Sequence, residues 1–300
     1  MVTEVEFGSA GLVCRGWHMS AVHDGLVGPA GRPVVVIAHG VGGTVDTGLR
    51  QFAENLCAAG VDALAFDYRG FGTSEGEPRQ SVSMRGQIED LNAAVEAARL
   101  LPGVDGSRVV LWGVSLAGGH VLSVAGQRGD VAGVIAVTPL VDGWAAAVLA
   151  LRYGTLSSMV RCTLAGVRSR NSVARGGDPV NIPIVGPPGQ DGAINLGDAY
   201  ARYTSLAGPT WRNEIDARIG FELLRYRPVR VAASIRCPVL IQIGDRDRSA
   251  PPHSAAAAAA KCGAEVRRYD ADHFDVWPGG TCFDGVLADQ RTFLASVFAT

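Results

Sequence analysis

Leu111-Trp112-Gly113-Val114-Ser115-Leu116-Ala117-Gly118-Gly119-His120, LWGVSLAGGH, joins an apolar run to a helix-forming one through a serine walled by small residues. A buried strand has no need of a serine at its tip. A sharp strand-to-helix turn that presents a nucleophile needs both the serine and small neighbours. A larger side chain two positions before or after it would collide with the adjoining backbone. Gly113-x-Ser115-x-Ala117 is close to the G-x-S-x-G form of such a turn, with Ala117 at the position usually held by glycine. Its place after the strand-like RVVLWG gives the match its weight.

Working outward, RVVLWGVS belongs to a series of apolar segments. PVVVIAHG, VDALAFDYRG, VAGVIAVTP and PVLIQIGD are the others. Runs that are apolar at both odd and even positions are typical of central parallel strands covered on two faces. Helical patterns lie between them: LRQFAENLCAAG, SMRGQIEDLNAAVEAARLL and LAGGHVLSVAGQRG. The alternation predicts an α/β fold, a mostly parallel doubly wound sheet with right-handed crossovers. An antiparallel hairpin is predicted ahead of it, from TEVEFGSAGLVCRGWHM. The alternation lapses between Leu140 and about Arg230, where Gly- and Pro-rich turns separate helical pieces such as WRNEIDARIGFELLRY. It resumes with PVLIQIGD, the alanine-rich helix SAAAAAAKCG, AEVRRYD and DGVLADQRTFLASVF. Residues 1–140 and 231–300 therefore form one core, and 141–230 an inserted cap.

Composition narrows the function. The 300 residues carry a net charge of −2, and the arginines are scattered, so no electrostatic case arises for nucleic acid or an anionic membrane. Lys261 is the only lysine. Six cysteines, Cys14, Cys57, Cys162, Cys237, Cys262 and Cys282, form no CxxC pair and no cluster with metal-ligand spacing. They are expected as small buried hydrophobes in a reducing compartment. The first residues lack the basic and apolar regions of a signal peptide, and no apolar run reaches membrane-spanning length. A cytoplasmic protein with no metal and no organic cofactor is expected.

A serine hydroxyl attacks only when a base takes its proton. Of six histidines, His273 lies in YDADHFDVW, a loop after the last strand and so at the carboxyl edge of the sheet. It is the predicted base; His120, on the helix after Ser115, is expected to point away from it. The imidazole needs an orienting carboxylate. IQIGDRDRSAPP offers Asp245 and Asp247 at the end of the preceding strand. Asp247 is preferred because Asp245 falls in the turn opened by Gly244; the sequence leaves Asp245 open as a substitute. The oxyanion of an acyl-transfer intermediate needs two backbone N–H donors. Leu116, just past the serine, and Val41, after His39-Gly40, are the candidates.

With these residues assembled, the chain resembles the α/β-hydrolase superfamily. AHGVGG, AFDYRGFGTSEGEPR, LWGVSLAGGHV, GDRD and DHFDVW carry the resemblance, over about Thr3 to Leu140 and Val231 onward. Within it, the chain is similar to bacterial and fungal hydrolases related to X-Pro dipeptidyl peptidases, acetyl xylan esterases and dienelactone hydrolases. Fungal polyketide acyltransferases are similar too. The resemblance implies Ser115 as nucleophile, Asp247 as acid, His273 as base, and Val41 and Leu116 as oxyanion donors. It also implies a structural turn at DYRGFG held by a charge pair, and a homodimer as a common arrangement. The expected activity is serine hydrolysis of a small-molecule carboxylic ester or thioester through an acyl-enzyme. Acyl transfer by the same intermediate is the alternative, with a peptidase and a non-catalytic binding protein ranked below. Trp144, Tyr153 and Trp211 are candidate substrate contacts in the cap.

Overall fold

The computed structural model describes residues 2–298. β1 (Val2–Ser9) and β2 (Leu12–Met19) form the hairpin expected at the start. β3 (Arg32–Ala38), α1 (Leu49–Ala58), β4 (Asp62–Phe66), α2 (Met84–Arg99), β5 (Val104–Val114), α3 (Leu116–Gln127) and β6 (Gly133–Val137) then alternate. After a further stretch come β9 (Val239–Gly244), α8 (Pro252–Cys262), β10 (Glu265–Tyr269) and α9 (Phe283–Phe298). One eight-stranded sheet has the order β1-β2-β4-β3-β5-β6-β9-β10. β1, β2 and β4 pair antiparallel; from β4 to β10 all pairings are parallel. Val34 to Ala38 and Val109 to Val114 are buried whichever face they point to, because helices cover both sides. Each such aliphatic side chain contributes about 1.5–3 kcal/mol on burial.

Between β6 and β9 lie α4 (Gly143–Tyr153), α5 (Leu156–Val173), β7 (Asn181–Ile182), α6 (Ala199–Ser205), β8 (Ile215–Asp216) and α7 (Ile219–Arg225). The two ends of this stretch meet: Asp142 caps α4 by accepting from the amides of Trp144 and Ala145, and also accepts from Arg227 at 2.6 Å.

One sequence expectation is corrected. WRNEIDARIG is not helical before Ile219; Ile215–Asp216 pairs with Asn181–Ile182. The buried Asp216 carboxylate accepts from Ser169, Ser81 and the Arg218 amide, and these bonds outweigh the helical periodicity of the segment. The DYRGFG turn is held by a charge pair, as expected, and the partner of Arg69 comes from outside the motif. Arg69 reaches Asp90 on α2, 2.8 Å from Nε, while Asp67 accepts from the amides of Val45 and Thr73.

Candidate active site

The turn from β5 into α3 leaves Ser115 at φ 57°, ψ −120°, a conformation that a side-chain-bearing residue adopts only under strain. Gly113 permits it: a Cβ there would stand 2.3 Å from the Ala117 carbonyl oxygen. Ala117, fully buried, is accommodated in place of glycine. The strain lifts the Ser115 hydroxyl to the carboxyl end of the central strand, where parallel α/β sheets bind ligands.

Three polar side chains from distant parts of the chain converge here. His273 Nε2 lies 3.0 Å from Ser115 Oγ, and His273 Nδ1 lies 2.7 Å from Asp247 Oδ2. An ionised carboxylate only accepts, so Nδ1 carries the proton and Nε2 is left as acceptor for the serine O–H. Asp247 is fixed in turn, its Oδ1 accepting from the amides of Ser249 and Ala250 at 2.7 Å each. All three residues are buried. Burial by itself disfavours the His273 imidazolium, but the charge and hydrogen bond of Asp247, with Asp272 nearby, raise its pKa above 6.5. Asp245 turns outward to Arg268, 2.9 Å from its Nε.

Gly40 brings the loop after β3 against the serine; a Cβ there would lie 3.6 Å from Ser115 Oγ. Val41 and Ser115 line one cavity, and Leu116 opens α3 directly beneath. Neither the Val41 nor the Leu116 amide is engaged in a turn or cap hydrogen bond among the described residues. Tyr203, from α6, donates to the Val41 carbonyl at 2.8 Å and holds that loop from above. Burial lowers the pKa of His39 to about 4 and of His120 to about 3. His120 donates from Nε2 to Gln87 and accepts at Nδ1 from Tyr226, so it faces away from the serine, as expected.

The cavity beside Ser115 is about 180 Å³, walled by α4, α7 and residues 193–196. None of Trp144, Tyr153 and Trp211 is among its walls. Trp144 and Tyr153 are 58% and 47% exposed on the outer side of α4, and Trp211 packs edge-on to Tyr203. The walls are small instead: Ala146, Ala147 and Ala150 face inward. Small residues at helical spacing in GWAAAVLALRYG were the available signal. Tyr203 and the wall residue Arg248, which pairs with Asp272 2.7 Å from its Nε, had no sequence signature.

A family model described as serine aminopeptidase, S33 matches residues 29–273. The chain belongs to this family of α/β hydrolases. The quorum-quenching protein AidA of Acinetobacter baumannii is 36% identical over 270 residues, covering 88% of this chain and 86% of AidA. The polyketide transferase grgF of a Penicillium species is 30% identical, covering 83% and 80%. The crystal structure of the α/β hydrolase GrgF from Penicillium sp. sh18 superposes over the whole of both chains with a TM-score of 0.81 at 25% identity. A thiohydrolase, aneE, of Aspergillus aculeatus is 28% identical over 300 residues, covering 91% and 88%. Relatives named as a thiohydrolase and as a polyketide transferase are thus similar to this chain over most of its length.

Proposed function

We propose that the protein is a serine hydrolase of small-molecule carboxylic esters or thioesters. The continuous hydrogen-bonded chain Ser115–His273–Asp247 carries this reading. Ser115 Oγ attacks the acyl carbonyl as His273 Nε2 takes its proton. The tetrahedral oxyanion is met by the amides of Val41 and Leu116. Asp247 holds the imidazole in the required tautomer and stabilises the imidazolium. The C–O or C–S bond breaks as His273 returns the proton to the leaving alcohol or thiol. Water, deprotonated by the same histidine, then releases the acid and frees the serine. Residues 141–230 act as a cap over this centre. The names thiohydrolase and polyketide transferase among the relatives support acyl chemistry.

Hydrolysis of p-nitrophenyl acetate by the wild type and by Ser115→Ala tests the proposal. The expected result is a loss of at least about 10³-fold in kcat for the variant, with the residue left by binding and the oxyanion donors alone. Unchanged turnover in Ser115→Ala would refute it.

A further inference from the structure

The cavity at Ser115 does not end under the cap. Beyond it lies a second cavity of about 270 Å³ that reaches α5 at Met159 and Cys162. Ala147, Ala150, Gly220 and Leu223 belong to the walls of both, so the two cavities adjoin along α4 and α7, and taken together they make one largely apolar groove. On α4 its wall begins at Gly143, beside Ser115, and ends at Gly154. Eleven residues of helix span about 16 Å. An extended chain advances about 3.5 Å per three bonds, so this length takes roughly a dozen chain atoms. Gly220 leaves the waist open: a Cβ placed on it would have no heavy atom within 4 Å. The groove is walled mostly by alanine, glycine and leucine, with Asn195 at its side, and has Ser115 at one end.

Resting on the acyl-enzyme reading above, we infer that the groove between α4 and α7 holds the acyl chain of the substrate, selecting esters or thioesters by acyl length up to about twelve carbons. The occupant is fixed by continuity. A chain attached to a carbonyl at Ser115 Oγ has a largely apolar path along α4, past Ala147, Ala150 and Gly220. Ala150 and Gly220 are the residues that keep the path open, and so determine specificity.

The test is kcat/KM for p-nitrophenyl esters from acetate to palmitate, with wild type, Ala150→Phe and Gly220→Leu. Binding of decanoic acid to Ser115→Ala and to Ser115→Ala/Ala150→Phe is measured beside it by calorimetry, and melting curves check that each variant is folded. Full burial of a methylene corresponds to about a fourfold gain, and a half-open groove to about twofold. The wild type is expected to gain about a hundredfold from acetate to decanoate and nothing further beyond about twelve carbons. Each blocking variant is expected to lower the decanoate-to-acetate ratio at least tenfold, and decanoic acid to bind Ser115→Ala but not the double variant. A flat profile, or variants that keep the wild-type ratio and the decanoate affinity, would overturn the groove while leaving Ser115-dependent acetate hydrolysis in place. Conversely, Ala150-dependent decanoate binding without any ester turnover would uphold the groove and refute the acyl-enzyme reading.

Discussion

At the scale of single residues, His273 is the most exacting part of the site. As the proposed base it must be neutral to accept the serine proton, yet Asp247 raises its pKa above 6.5. The acid limb of kcat/KM is therefore expected above pH 6.5. His39 and His120, lowered to about 4 and 3 by burial, stay neutral throughout that range and add no inflection. Asp247→Asn removes the charge that offsets burial, so the limb should move to lower pH while kcat falls by about 10³ to 10⁴, as the imidazole loses its tautomeric anchor. A pH–rate profile of the two proteins measures both effects; an unmoved limb would mean that another group sets it. Stability runs the opposite way. A raised folded pKa means that the His273–Asp247 pair stabilises the fold most fully below about pH 6.5, the unfolded value, and that this part is lost as pH rises through the folded value.

At the scale of elements, the strand-to-helix turn and the loop after β3 form one device. Gly113→Val would drive a side chain into the Ala117 carbonyl and is expected to destabilise the protein by about 1–3 kcal/mol or more, read from urea denaturation. Tyr203→Phe removes the donor to the Val41 carbonyl. A fall of about three- to thirtyfold in kcat with little change in KM is expected if Val41 serves the transition state, and a change confined to KM would argue against that role. These elements also explain what the sequence disclosed. The strands were legible because both faces of each are buried, which leaves unbroken apolar runs. Ser115 was legible because its neighbours must be small. His273 and Asp247 followed from their places after the last two strands of the sheet. The stretch between β6 and β9 was not legible in the same way. Its short pairing of Asn181–Ile182 with Ile215–Asp216 depends on side-chain bonds to Asp216 from residues far off in sequence. The aromatic residues expected at the substrate face outward or pack against α6, since the inward face of α4 is reserved for alanine and glycine.

At the scale of the whole molecule, buried polar ties join the layers at points the sheet alone does not fix. Asp90 on α2 accepts from Ser9 of the hairpin at 2.6 Å and from the Arg69 backbone and guanidinium in the turn after β4. Arg69→Met would leave that buried carboxylate without its cation. A loss of about 3–5 kcal/mol in unfolding free energy is expected, with the kcat of the folded fraction unchanged because neither residue bonds to Ser115, His273 or Asp247. Equilibrium denaturation together with an active-site-normalised rate separates the two. The whole fold serves to bring Ser115, Asp247 and His273, from three separate strand ends, within hydrogen-bond reach of one another. The most direct measurement of that claim is the rate at which a fluorophosphonate modifies the protein, with the adduct located by mass spectrometry in wild type, Ser115→Ala and His273→Gln. A single adduct on Ser115 is expected, absent from Ser115→Ala and formed at least about 10³-fold more slowly in His273→Gln. An intact protein that remains unlabelled, or a Ser115 that reacts equally fast without His273, would contradict that claim.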